Sequence, residues 1–149
     1  MIAKTATPAA KAVLRQATAL RPKRKTASDG LLPSAAHQKQ NPSSDHNTGF
    51  AVDVTHDSVF GINGHEVYEH LKSDKRVKYL IFMGKIWSPE KGDHPYDGPN
   101  QHNHHCHISI KETCGNDTSP WFPWLGKPTI TNKVKANLPK PLPKKKENK

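Results

Sequence analysis

Hydrophobic positions along the chain fall into short groups whose period changes. Val13, Leu14, Ala17 and Leu20 share one face at helical spacing. Thr7-Pro8 supplies that helix with a capping hydroxyl and a first-turn proline, and Arg21-Pro22 ends it. Residues 21–45 are polar, contain Gly30, Pro33 and Pro42, and read as irregular loop. Phe50-Ala51-Val52-Asp53-Val54 alternates in period two, as a half-buried strand does. Asp57 to Gly64 reads as loop, and His65 to Ser73 as a short helix with Val67, Tyr68 and Leu71 inward. Lys78 to Ile86 is rich in β-formers and broken at Met83-Gly84, which predicts a hairpin. Ser88 to Gln101, with Pro89, Pro95 and Pro99, reads as a long loop, and His105 to Ile110 alternates again as a strand. Trp121, Phe122 and Trp124 are expected to dock as a closing clasp. The implied fold class is α+β, a small antiparallel β-sheet with a helix or two on one face and histidines at strand ends. No internal repeat interrupts this reading.

Charge divides the chain differently. Residues 1–27 hold seven Lys or Arg and no acid, and residues 126–149 hold eight Lys and one Glu, whereas residues 28–125 hold eight bases and twelve acids. The net charge of +10 therefore resides in the ends. A length of 149 residues suits one domain, 1–125, followed by a Lys- and Pro-rich tail over 126–149 whose composition predicts disorder. Basic ends suit an anionic wall polymer or nucleic acid, and a solvated tail without a role is the plainer alternative. No stretch approaches the roughly 20 apolar residues of a membrane span, and no apolar segment of a secretory signal follows the N-terminal charges. Two cysteines, Cys106 and Cys114, are too few for a disulfide scaffold, so reduced thiols are expected.

Ten histidines are many for this length, and four lie between His102 and His107. Zinc takes imidazole nitrogen and carboxylate oxygen, and a catalytic site has three protein ligands with one position left open. Two segments can supply such ligands: His46 with Asp53, at a loop-to-strand junction, and His105-Cys106-His107. In a strand, His-x-His places both rings on one face, roughly 6–7 Å apart, so one can bind metal while the other addresses substrate. Cys106 then points the opposite way and is not expected to ligate. Gly49 suits a bend that returns His46 over Asp53. A surface histidine cluster without function is the competing interpretation. His56, His65 and His70 are expected to be satisfied core histidines.

Ser44-x-His46-x-x-Gly49-x-Ala51-x-Asp53, followed about fifty residues later by His105-x-His107, resembles the D-Ala-D-Ala metallopeptidase family. Its wider group includes the lysostaphin-type enzymes, the penicillin-insensitive murein endopeptidases and the hedgehog signalling domain. The segment from Arg76 through Ile86-Trp87-Ser88 to His107-Ile108-Ser109 is similar to phage and prophage proteins with this domain. The resemblance covers about residues 8–112. It implies a hedgehog/DD-peptidase-like zinc domain, endolysin-like in context, made in the cytoplasm and released to the cell wall. It implies His46, Asp53 and His107 as the Zn2+ ligands, His105 beside the catalytic water, and His102 as a further histidine lining the site. It also implies peptidoglycan peptide as the substrate.

Two departures bear on specificity. Carboxypeptidase members carry a Glu three residues before the last ligand, where this chain has His104. They also use an upstream Arg to hold a substrate carboxylate, and Ala27-Ser28-Asp29-Gly30 contains none. Endopeptidase action therefore fits better than carboxypeptidase action. With a reference pKa near 6.5, histidine suits proton transfer at neutral pH. His105 is expected to act as the general base, with His102 next. His104 should face away, and Asp45 is a weaker candidate for orienting a ligand ring. The alternatives are a zinc-binding module without turnover and a polyanion-binding protein acting through its basic ends. For the latter the chain has no zinc-finger spacing and no aromatic–basic interleaving, only charge.

Overall fold

The computed structural model describes residues 5–98 and 100–126. Helix α1, Pro8–Leu20, begins where the sequence places it, with the Thr7 hydroxyl accepting the Ala10 N–H. Ala9, Ala10, Ala12, Val13 and Ala17 form its buried side. Strand β1, Ala51–Thr55, helix α3, Gly64–Leu71, and strand β5, His105–Ile110, also follow the predicted pattern. Strands β2, Val77–Phe82, and β3, Lys85–Ser88, form the expected hairpin, with positive φ at both Met83 and Gly84.

Two elements depart from the sequence reading. Residues 35–40, read as loop, form helix α2, Ala35–Gln40, capped by the Ser34 side chain on the His37 N–H. Within the segment read as one long loop, Gly92–Pro95 forms strand β4 and pairs with β3. Both are polar and carry no hydrophobic period. Helix α2 buries no residue, and β4 is an edge strand, where proline is tolerated.

The sheet is antiparallel with strand order β1-β5-β2-β3-β4. Alternation gives it two chemically different faces. Val52, Val54, Leu80, Phe82, Cys106, Ile108 and Ile110 join the core with α1 and α3. Asp53, Thr55, Tyr79, His105, His107 and Ser109 occupy the alternate positions of the same strands, on the opposite face. Cys106 is buried in the core and unpaired, as its phase required, and burial pushes its thiol pKa well up. The fold is thus α+β, with a five-stranded antiparallel sheet. Among the described residues no helix is long and apolar enough to cross a membrane.

Trp121 and Phe122 complete the core. Trp121 is fully buried; its Nε1–H donates to Ala9 O at 3.1 Å and its N–H to Gln16 Oε1 at 2.8 Å. The Arg76 guanidinium lies over the ring, 3.6 Å from its centroid, and is held by Asp74 and by the carbonyls of Ser119 and Pro120. Trp121→Ala is expected to destabilise the fold by about 3–5 kcal/mol, read as a lower denaturant midpoint, because it removes a large core side chain and leaves a cavity. A midpoint unchanged from the parent would deny the clasp a structural part.

Candidate metal centre and groove

The centre starts from strand register. β5 lies between β1 and β2, and Asp53 is paired directly with His107, with Ile81 across on the other side. Their side chains therefore rise from neighbouring positions on the same face. His46 arrives from a 3-10 turn, Asp45–Thr48, capped by the Ser44 hydroxyl on the His46 N–H. Gly49 reverses the chain at φ 82°, and a Cβ there would lie 2.9 Å from Thr5 O, so only glycine fits this bend.

His46, Asp53 and His107 each offer one donor atom, and the three atoms lie within 4.8 Å of one another. His107 Nδ1 is 3.1 Å from Asp53 Oδ1, and His46 Nε2 is 3.2 Å from Asp53 Oδ2. The outer ring nitrogens have partners of their own. His46 Nδ1–H donates to Leu31 O at 2.6 Å, and His107 Nε2 faces Ser109 Oγ at 2.8 Å. With those outer nitrogens protonated, the inner nitrogens of neutral rings present lone pairs to a carboxylate. That arrangement repels unless a proton or a cation lies between them. Two imidazole nitrogens and one carboxylate oxygen, held together and partly buried, could hold a metal ion.

Without a metal, protons take that part. Burial alone would raise the Asp53 pKa, but hydrogen bonds and charge from His107 and His46 hold it far below the usual carboxylate range. Burial alone would lower the His46 pKa, but the Asp53 hydrogen bond and charge outweigh it and raise it. Metal entry must displace those protons, so affinity should fall with acidification.

The remaining histidines sort clearly. His105 Nε2 lies 3.6 Å from Asp53 Oδ2, and burial lowers its pKa against the pull of that carboxylate. His102 precedes β5 with a left-handed φ of 60°, unusual for a residue other than glycine. Its ring centroid is 5.0 Å from that of His105 and 5.6 Å from that of His107, and its buried Nδ1 has no hydrogen-bond partner among the described residues. Burial, with the two neighbouring rings, pushes the His102 pKa down to about 4. His104 is exposed, as its phase required, and its carbonyl accepts the His56 N–H.

Three expectations need correction. Asp45 does not orient a ligand ring by hydrogen bonding: the Leu31 carbonyl does, while the Asp45 carboxylate pairs with Lys78 at 3.2 Å. Asp45 acts on His46 through its charge. His65 and His70 are exposed on α3 and are not core histidines; His70 stacks on Trp124 with centroids 4.4 Å apart. His56 is half-buried, and its Nδ1 accepts the Gly64 N–H.

A groove of about 720 Å³ opens over the cluster. One wall is Leu31 to Ser44, including α2 with His37 and Gln40; the other is Tyr96, Asn100 and His102. Among the described residues that line it, none is Lys or Arg. Gly30 runs beside the floor, pairing its backbone with Asp53 in both directions, and a Cβ there would lie 3.0 Å from Asp53 Oδ2. The sequence reading missed Leu31, Ser109, Tyr79, His37 and Tyr96 as parts of this site. Ser109 alone carried a readable signal, since it follows His107 by two on a strand and so shares its face.

Comparison with protein-family models, curated sequences and solved structures finds no match to this chain.

Ser109→Ala is expected to weaken metal binding by roughly 10–100-fold without unfolding the protein, because partners of ligand imidazoles fix ring orientation and basicity. Titration with a competing chelator reads this directly. Affinity equal to the parent's would remove Ser109 from the site.

Proposed function

We propose that the protein is a zinc-dependent peptidase of hedgehog/DD-peptidase-like fold, hydrolysing a peptide bond in bacterial cell-wall peptides. The observation that carries the reading is a two-His, one-Asp donor set on the floor of an open groove with two further histidines beside it. The motif resemblance adds the expected ligand assignment and substrate class. The donor set suits zinc, which prefers nitrogen and carboxylate oxygen with three protein ligands in catalytic sites. Bound there, zinc would supply a Lewis acid that acidifies water and polarises the scissile carbonyl.

The chain's own residues would do the rest. His46, Asp53 and His107 hold the ion, with Leu31 O and Ser109 Oγ fixing the two rings. His105 is the candidate general base, since its Nε2 lies 3.6 Å from Asp53 Oδ2 without belonging to the donor set. It would take a proton from attacking water and return it to the leaving amine. His102 lies behind it and is the second candidate. Among the described residues the groove lining includes no Lys or Arg to hold a terminal carboxylate, which favours an internal bond over a C-terminal one.

Digestion of purified peptidoglycan with and without a chelator, followed by mass analysis of the fragments, tests this reading. Release of cross-link or stem-peptide fragments, abolished by chelator and restored by zinc, is expected. Stoichiometric metal with no fragment released would instead make the chain a metal-binding module.

A further inference from the structure

The core does not explain helix α2. It has six residues and buries none of them, whereas a helix standing alone in water is marginal below roughly 12–15 residues. The turn that carries His46 holds it in place. His46 Nδ1–H donates to Leu31 O at 2.6 Å, ahead of α2. The buried Asn47 donates from Nδ2 to Asn41 O at 2.9 Å and to Pro42 O at 3.1 Å, just behind α2. The Ser34 cap on the His37 N–H and the Asn41 N–H on His37 O close the helix itself. Two adjacent residues of one turn thus clip α2 on both sides and set it along the groove.

The side that α2 turns to the groove carries His37 and Gln40, three residues apart and therefore neighbours on one face. The His37 ring is partly buried and stands edge-on to the His46 ring, with centroids 6.1 Å apart. Ring contacts then run from His46 to His107 at 5.0 Å and from His107 to His102 at 5.6 Å. His37 is thus at the other end of this row from His102, the neighbour of His105. Its nitrogens also differ from those of the ligand rings. His46 and His107 have both nitrogens engaged. Neither ring nitrogen of His37 makes a hydrogen bond among the described residues. A neutral imidazole there keeps one donor and one acceptor for a ligand, and the exposed Gln40 carboxamide adds both kinds of group. Uncharged donors and acceptors in succession match the repeating N–H and C=O of a peptide backbone.

We infer that α2 is the peptide-binding wall of the groove. His37 donates its ring N–H to a backbone carbonyl of the substrate, on the side of the metal centre away from His102, and Gln40 engages the next peptide group. The identity of the ligand as a cell-wall peptide rests on the peptidase reading above.

A soluble muropeptide and the full chain test this. KM and kcat are read with zinc, and Kd is read by calorimetry with chelator present, where a metal-dependent reaction is halted. His37→Phe keeps a ring against His46 and removes the donor, whereas His37→Gln removes the ring and keeps an N–H. His37→Phe should raise KM and Kd by roughly 2–10-fold, the worth of one neutral hydrogen bond, with zinc content unchanged. His37→Gln should recover part of that loss. Gln40→Ala should weaken binding to a similar extent, and Lys39→Ala, exposed on α2 and outside the groove lining, should leave it unaltered. Parent values of KM and Kd in His37→Phe would overturn the inference. So would loss of zinc from His37→Gln but not from His37→Phe, which would make the ring a mere support for His46. A parent that cleaves the peptide, with His37→Phe its equal, would refute the wall and leave the peptidase. A parent that binds the peptide through His37 without cleaving it would refute the peptidase and leave the wall. A parent that neither binds nor cleaves it would refute both.

Discussion

Asp53→Ala is expected to abolish stoichiometric metal binding while leaving the fold in place. Asp53 is the member of the cluster that touches every other: His46, His107 and, at 3.6 Å, His105 all face its two oxygens. It is also the anion of the set. Without it, two neutral imidazoles remain, one donor short of the three-ligand zinc site and with no charge to offset the ion. The strand should survive, because the ladder to Gly30 uses the Asp53 backbone N–H and carbonyl at 2.8 and 3.0 Å, which the substitution does not touch. Asp53→Asn keeps the shape and one acceptor oxygen but loses the charge, and should bind metal more weakly than the parent and better than the alanine variant. Elemental analysis should find about one zinc per chain in the parent and none in Asp53→Ala or His46→Ala. Either alanine variant retaining a full equivalent of metal would exclude this cluster as the site.

How much of this centre the sequence discloses depends on the kind of signal each part leaves. The Thr7-Pro8 cap and the alternation of residues 51–54 and 105–110 are local, and each predicts its element from within a few residues. Phase on β5 is equally legible: it puts Cys106 in the core and His105 and His107 on the opposite face. The pairing of Asp53 with His107 is not legible in either strand, because register is a property of two segments together. Motif resemblance supplies that link where periodicity cannot. Helix α2 and strand β4 leave no hydrophobic signature because neither contributes to the core; α2 shows only its Ser34 cap. Strand β4 is held from outside its own sequence, by backbone pairing with β3 and by Tyr68 and Lys72 gripping Asp93 at 2.7 and 2.8 Å. The Leu31 carbonyl is the extreme case. Every residue has that group, and only the folded path of residues 28–34 brings this one to His46.

His105→Ala separates holding the metal from using it. His105 and His107 share a strand and a face, yet their surroundings differ. His107 is buried with both ring nitrogens engaged, one on Asp53 and one on Ser109. His105 is only partly buried, with Nε2 3.6 Å from the Asp53 carboxylate, and lines the groove. His105→Ala should therefore retain its zinc while hydrolysis falls by about 10²–10⁴-fold, the usual contribution of a general acid–base group. His107→Ala should lose metal and activity together. His102 supplies the internal control. Its ring packs edge-on against His105, so His102→Ala should disturb the His105 ring and reduce kcat less than His105→Ala does. Metal content and kcat, measured on the same preparations of all three variants, decide the assignment. Zinc lost in His105→Ala but kept in His107→Ala would reverse the roles of the pair. A greater fall in kcat for His102→Ala than for His105→Ala, with zinc kept in both, would transfer the base to His102.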